Sequence, residues 1–101
     1  MEFKYILMDK KAGIATITFH RPEALNALNS EVLEELDKAV ELVAADREVR
    51  VAVFTGEGKS FISGADINEM DQRRGVDIIS YSRRGADVFR KVELLPKPTI
   101  A

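Results

Sequence analysis

A run of ten residues, FISGADINEM at 61–70, holds the residue types of this sequence that are best suited to chemistry. Positions 63–65 are small, and glycine reaches dihedrals that other residues avoid, so a ligand can approach the main chain closely there. Asp66 and Glu69 have the spacing of a capping pair at the start of a helix. The Ala65 amide would then lie beside the positive helix end, where developing negative charge is favoured. The pattern predicts one half of an oxyanion hole.

Composition limits the class of protein. The 101 residues, 46% hydrophobic and 32% charged, are typical of one ordinary globular domain over residues 1–101. A net charge of −2 gives no basic surface, so we expect no nucleic-acid partner. The lack of cysteine removes disulfides, thiol nucleophiles and cysteine-rich zinc sites. No apolar run approaches the roughly 20 residues of a membrane span, so we expect a cytoplasmic protein with no membrane partner.

The hydrophobic pattern predicts an α/β layer in the order strand, strand, helix, strand, helix, helix. Strands at 3–8 and 14–19, joined by turn residues at 9–13, form a β-hairpin. A helix capped by Asn29 or Ser30 buries one face, and the apolar run 49–55 predicts a strand covered on both faces. A helix over 77–94 precedes a strand that opens at 99–101. We expect that helix to bury Ile78, Tyr81, Val88, Phe89, Val92 and Leu95.

Other polar features have simpler interpretations. The sequence GEGKS at 56–60 matches the end of a phosphate loop, but the glycine that the motif needs five residues before Gly58 is Val53. We therefore interpret it as a turn after a strand. His20 has no carboxylate or second ligand at a recognisable spacing, so we expect neither a base nor a metal ligand there.

The charged helix positions are also expected to be structural. Asp66 and Glu69 are caps rather than a catalytic pair, because one helix turn does not supply the opposed geometry that such a pair requires. The arginine pairs at 73–74 and 83–84 could reach phosphates, but such pairs usually form solvated faces. We interpret the glutamates of the helix at 30–46 as solvated in the same way.

Three segments carry a family resemblance. FISGADINEM at 61–70 resembles the GAD-containing signature of the crotonase, or enoyl-CoA hydratase/isomerase, superfamily. HRPEALNAL at 20–28 is similar to the upstream segment of that family, and LPKPTIA at 95–101 to the approach to its next core strand. The resemblance spans essentially the whole chain. It implies a partial spiral of repeated ββα units, truncated at the start of a following strand, that binds acyl-CoA thioesters.

The resemblance also assigns roles by position. Ala65 would donate the first of two backbone N–H groups that hold the thioester oxygen as an enolate forms. Coenzyme A is part of the substrate, and no other cofactor and no metal is expected. The remaining contacts would be Ser63, Gly64, Asp66, Ile67 and Asn68 on the CoA side, Ala24 and Leu25 at the nucleotide and pantetheine portions, and Met70 at the acyl pocket.

The family's other catalytic groups have no counterpart in these residues. Its enzymes take the second oxyanion amide from a glycine-rich segment just after the strand that begins at Thr99, and hydratases use two glutamates beyond it. The resemblance therefore implies the N-terminal portion of an acyl-CoA enzyme, inactive alone. The parent activity would be enoyl-CoA hydration, with isomerisation or other enolate chemistry as the alternative. A non-catalytic module that binds CoA or a partner chain is a second alternative.

A truncated spiral has a further expected property. It leaves apolar faces and a strand edge uncovered, and such surfaces tend to pair. We therefore expect a homo-oligomer.

Overall fold

Four strands form one sheet, and a long helix packs across one of its faces. The structure is a computed structural model that describes residues 3–101. The strands lie in the order in which they occur along the chain, the first pair antiparallel and the later pairs parallel. The predicted order of strands and helices is confirmed. The elements are β1 (Ile6–Lys11), β2 (Ile14–Phe19), a 3-10 turn (Pro22–Ala24), α1 (Ser30–Ala45), β3 (Val51–Gly56), α2 (Ile67–Asp71), α3 (Val76–Glu93) and β4 (Thr99–Ile100).

The core lies between α1 and one face of the sheet. Alternate residues of β2 and β3 are buried there, with Ile17 of β2 beside Phe54 of β3. The opposite face of β3 is only half-buried, so the prediction of a strand covered on both faces is wrong for the described residues. The predicted buried face of α1 is confirmed, because its inward side consists of Val32, Leu33, Leu36, Ala39, Val40 and Val43.

The hairpin begins three residues later than the pattern indicates. The predicted strand at 3–8 is β1 at Ile6–Lys11, and only Ile6 of it is buried. The connection is the two-residue turn of Ala12 (φ +53°) and Gly13 (φ +82°). Two successive positive φ values make the tight hairpin turn whose twist suits the flanking strands. Because β1 is an edge strand, its charged residues take part in strand pairing while they stay exposed. Its sequence therefore lacks the alternation of apolar and polar residues that marks a half-buried strand.

Helix α3 is less buried than its apolar stripe predicts. Its bounds agree with the prediction to one residue, but Val88 is its only buried residue, and Phe89 is 40% exposed. Ionic contacts join it to α1, with Arg84 bonded to Glu34 and Asp37 at 2.9 and 3.0 Å. The side chains of Arg84 and Glu34 remain partly exposed, as predicted for a solvated face, but they also pair with each other across the two helices. Such exposed pairs contribute little stability, typically ~0–1 kcal/mol each.

Gly85 offers a test of this packing, because it lies inside α3 where glycine weakens a helix. A Cβ added there would lie 3.8 Å from Leu33 Cδ1, an ordinary contact. We expect Gly85→Ala to raise the free energy of unfolding by about 0.5–1 kcal/mol, measured by urea denaturation. Gly56→Ala is the matched control with the opposite expected effect. Its Cβ would lie 2.5 Å from two backbone oxygens, so this change should destabilise the fold. An unchanged or lower midpoint for Gly85→Ala would contradict the packing described.

Candidate functional site

Two connecting segments meet at the carboxyl edge of the parallel strands. One follows β2 and contains Leu28, and the other follows β3 and contains Ala65, and the two residues form an isolated parallel bridge. The Leu28 N–H donates to Gly64 O at 2.8 Å, and the Asp66 N–H donates to Leu28 O at 2.9 Å. A residue in such a bridge directs its own N–H to the opposite side. Within residues 3–101 the Ala65 N–H has no hydrogen-bond acceptor, and the residue is exposed.

The approach to Ala65 is open. Gly64 has φ +137°, a conformation that favours glycine, and no heavy atom lies within 4 Å of where its Cβ would be. Ser63 is also exposed, and its N–H donates to Leu25 O at 3.2 Å. On the core side, the Phe61 ring meets Phe19 edge-on at 5.9 Å. The segment is thus anchored on the core side and accessible at the predicted site.

Asp66 caps α2, as predicted, but Glu69 does not complete the capping pair. Asp66 Oδ1 accepts the Glu69 N–H at 3.1 Å. The Asp66 N–H is already bonded to Leu28, so the Glu69 carboxylate turns instead to Ser30, where it accepts the N–H at 2.9 Å and the hydroxyl at 2.7 Å. Of the two residues predicted as the cap of α1, Asn29 is the N-cap, since its side chain accepts the Val32 N–H at 2.9 Å, and Ser30 is the first residue of the helix. Glu69 therefore links the starts of α1 and α2.

The second oxygen of Asp66 binds Arg21. Oδ2 lies 2.8 Å from Arg21 Nη1, and the two side chains are only 13% and 17% exposed. The Glu69 N–H, and after it the Arg21 guanidinium, hold the pKa of the Asp66 carboxyl below its usual range. Because α2 has only five residues, its dipole is short, and Asp66 satisfies part of its amino end. A ligand at this site would therefore meet mainly the Ala65 N–H, which has no acceptor within residues 3–101, and the helix dipole would contribute less.

Asn26 is the buried polar residue of the site. It is 1% exposed and has φ +58°, which asparagine tolerates better than most residues. Its Oδ1 accepts the Arg21 N–H at 2.7 Å, and its Nδ2 donates to Glu57 O at 2.9 Å and to Ser60 O at 2.7 Å. The side chain therefore joins the connection after β2 to the connection after β3.

The other predicted contact residues lie on these two connections and on α2. Ala24 is half-buried, and Leu25 is 50% exposed beside Ser63. On α2, Asn68 is exposed, and the exposed fractions of Ile67 and Met70 are 79% and 40%. The roles of these residues stay predictions.

His20 has an acidic partner that no sequence spacing indicates. Its Nδ1 pairs with the Glu57 carboxylate, 37 positions away along the chain. Glu57, Arg21 and Asn26 were not recognised as parts of the site from the sequence. Their partners are distant along the chain, and no spacing motif links them. A clue to Asn26 was its position in a loop of the HRPEALNAL segment, where asparagine favours turns.

Two clefts in the structure are not lined by Ala65. One of about 440 Å³ lies near the far end of α1, lined by residues that include Lys10, Leu42 and Asp46. An apolar cleft of about 220 Å³ lies beside β4 and is lined by Phe61 and Phe89 among others. No helix in the described part of the chain is long and apolar enough to cross a membrane. Within the same residues, no group of three or more potential metal ligands was found.

Known proteins share this arrangement of strands and connections. The crystal structure of an enoyl-CoA hydratase/isomerase from Xanthobacter autotrophicus Py2 is similar with a TM-score of 0.90 and 36% identity, over 97% of this chain and 38% of that one. This defines the class as an α/β protein with part of the crotonase fold. Residues 9–101 also match the family described as Enoyl-CoA hydratase/isomerase. The chain therefore belongs to the enoyl-CoA hydratase/isomerase family, and the resemblance seen in the sequence is confirmed.

Curated relatives with different named activities match almost the whole chain. A short-chain-enoyl-CoA hydratase of Clostridium acetobutylicum is 42% identical over 100% of this chain and 39% of its own length. A trans-2-decenoyl-[acyl-carrier-protein] isomerase of Streptococcus mutans is 34% identical over 99% of this chain and 40% of its own. The chain thus spans about two fifths of the length of these relatives.

Asn26→Asp tests the connection between the two segments. Aspartate keeps the size and tolerates the backbone, but it loses both N–H donors and places a carboxylate against two carbonyl oxygens. We expect the free energy of unfolding in urea to fall by about 2–4 kcal/mol. Asn68→Asp, the same change at an exposed position, should alter it by less than about 0.5 kcal/mol. Equal effects of the two changes would contradict the role given to Asn26.

Asp66→Asn tests the charge of the cap. Asparagine still caps a helix, so the difference from wild type reports mainly the carboxylate and its pairing with Arg21. Because folding lowers the pKa of Asp66, its stabilisation is fully present above its unfolded value, about 3.9, and is lost as the pH falls through the folded value. We expect wild type to be about 1 kcal/mol more stable at pH 7 and the difference to shrink below about pH 4. Urea denaturation from pH 2.5 to 7 measures this, and a difference independent of pH would count against it.

Proposed function

We propose that this segment binds the thioester group of an acyl-CoA, with the Ala65 N–H donating to the carbonyl oxygen. The observation that carries the proposal is the N–H of an exposed residue that has no acceptor within residues 3–101 and is fixed in direction by the bonds of its neighbours to Leu28. Fixed donors aimed at an oxygen that gains charge stabilise it without reorganisation. The open space beside Gly64 supports the close approach of a thioester to this main chain.

The contact residues follow the same proposal. Ser63, Gly64, Asp66, Ile67 and Asn68 would line the CoA side, Ala24 and Leu25 would meet its nucleotide and pantetheine portions, and Met70 would border the acyl chain. Six of these residues are exposed, Ala24 and Asp66 being half-buried, and the Ser63 N–H bonds to Leu25 O, which together support a common surface. The two oxygens of the Asp66 carboxylate already bond to Glu69 and Arg21 and its N–H bonds to Leu28, so the proposal gives Asp66 a packing contact rather than a hydrogen bond to the ligand. Coenzyme A enters as part of the substrate, and the proposal uses no other cofactor.

For the whole protein we propose enoyl-CoA hydration. Water adds across the double bond of a 2-enoyl thioester, and the thioester oxygen carries the negative charge of the enolate that forms. The relative named as a short-chain hydratase, at 42% identity, supports this reaction over the isomerisation named for the 34% identical relative. Isomerisation through the same kind of enolate is the second candidate.

The proposed step needs more than this chain offers. One oxyanion donor contributes ~10²–10³-fold to rate. General acid–base help adds ~10²–10⁴-fold. The acidic residue adjacent to Ala65 in the sequence is Asp66. Asp66 is occupied by the cap and the ion pair. We therefore propose that these 101 residues alone bind a thioester but do not turn it over.

We also propose self-association, in a cytoplasmic setting. Large apolar side chains near α2 and at the start of α3 are exposed, with Ile67 and Val76 at 79% and Ile79 at 58%. Exposed apolar groups of this kind favour association when they are contiguous. The lack of cysteine agrees with a reducing compartment.

The test is an amide NMR titration of the 101-residue chain with crotonyl-CoA. We expect the Ala65 amide proton to move downfield as it binds the thioester oxygen. The matched ligand is a CoA thioether that has no carbonyl and should leave Ala65 nearly unmoved while still shifting contacts on the CoA side. In the same sample, the absorbance of the conjugated enoyl group should fall no faster than it does in buffer alone.

Each contrary result has a definite meaning. Equal Ala65 shifts with both ligands would mean that CoA binds without the carbonyl contact, which favours a non-catalytic module. No shift with either ligand would overturn the binding proposal. Turnover well above buffer would show that these residues alone supply the remaining catalytic groups.

A further inference from the structure

Arg21 bonds to several parts of the two connections through both its side chain and its main chain. Its Nη1 lies 2.8 Å from Asp66 Oδ2 and donates to Ala27 O at 2.9 Å. Its backbone N–H donates to Asn26 Oδ1, and its backbone oxygen accepts the Asn26 N–H at 2.9 Å. The guanidinium also lies 5.8 Å from the centre of the Tyr5 ring. Arg21 is therefore held both at its main chain and at its guanidinium, and its side chain is only 17% exposed.

The two partners of Nη1 flank the bridge that orients the candidate donor. Ala27 immediately precedes Leu28, and Asp66 immediately follows Ala65. The guanidinium thus joins the two segments next to the Leu28–Ala65 bridge. The other bonds between these segments, from Ser63 to Leu25 and from Asn26 to Glu57 and Ser60, lie farther along the chain from Ala65, so the Arg21 guanidinium is the side-chain link next to the bridge itself.

We propose that Arg21 is a positioning residue that sets the direction of the Ala65 N–H through Asp66. This inference rests on the function proposed for Ala65. Arg21 does not touch the Ala65 amide, and it acts by holding the peptide that follows. The ion pair is well shielded and is supported by a second charge-assisted bond from the same nitrogen, so it is stronger than an exposed surface pair. Glu69, bonded to Ser30, holds the far side of the cap.

Arg21→Met tests the inference, because it keeps an apolar stem and removes the guanidinium. The readouts, taken without ligand, are amide hydrogen exchange at Leu28 and Asp66 and the chemical shift of the Ala65 amide. We expect exchange at Leu28 and Asp66 to be about tenfold faster relative to the β2 amides, which correct for global stability. The Ala65 resonance should also move. Arg83→Met, at an exposed position of α3, is the control and should change neither quantity.

A conservative substitution of Arg21 adds a second test with the same readouts. Arg21→Lys keeps the positive charge near Asp66 on a shorter stem, so we expect it to restore part of the protection and of the Ala65 shift. If Arg21→Met does not fold, Asp66→Asn breaks the same ion pair while keeping a cap acceptor, and the same exchange ratio decides.

Two results would overturn the inference. One is an exchange ratio and Ala65 shift like those of wild type in the folded Arg21→Met or Asp66→Asn chain. The other is an equal loss of protection at Leu28, Asp66 and β2, which would make Arg21 a general stabiliser of the fold. Since these measurements need no thioester, they stand apart from the titration that tests the proposed function.

Discussion

The pairing of Leu28 with Ala65 is the interaction on which the candidate site depends. It is available because β2 and β3 are parallel and end in register, with Phe19 beside Gly56. The carboxyl ends of parallel strands meet at one edge of a sheet, and the segments that leave them are brought together there. The bridge bonds the groups on either side of Ala65 and turns the Ala65 N–H outward. A main-chain donor is thereby fixed without any side chain of its own.

A free amide is tolerated at this position because it is exposed. When no ligand is present, water can bond to it, so it does not carry the penalty of a buried unpaired donor. The polar groups beneath it have less freedom. Asn26 is almost fully buried, and its bonds to Arg21, Glu57 and Ser60 satisfy both ends of the amide. The site thus combines a satisfied interior with an unsatisfied surface, which is the arrangement that lets a ligand oxygen replace water at little structural cost.

Local patterns predicted the parts of this structure that local physics decides. The buried face of α1, the cap at Asn29 and the cap at Asp66 follow from spacing and side-chain chemistry within a few residues. The bonds from Arg21 to Asp66 and from Asn26 to Glu57 and Ser60 could not be predicted, because they join segments that the parallel pairing of β2 and β3 brings together. Glu69 has the right spacing for a local cap, but its carboxylate bonds instead to Ser30, 39 positions away along the chain. An apolar stripe in α3 likewise indicated a helix without indicating how much of that face another element would cover.

The geometry of this segment bears on the two activities named among its relatives. Relatives named as a hydratase and as an isomerase both align with nearly the whole of this chain, over about two fifths of their own lengths. A main-chain N–H suits a shared role, because it can polarise a thioester carbonyl whichever proton moves next. Reaction choice requires acids placed about the carbon chain, and the carboxylates nearest Ala65 are already committed to Arg21 and to helix starts. Under the proposed function, this segment supplies the main-chain donor for the thioester oxygen, and the choice between hydration and isomerisation belongs to other groups.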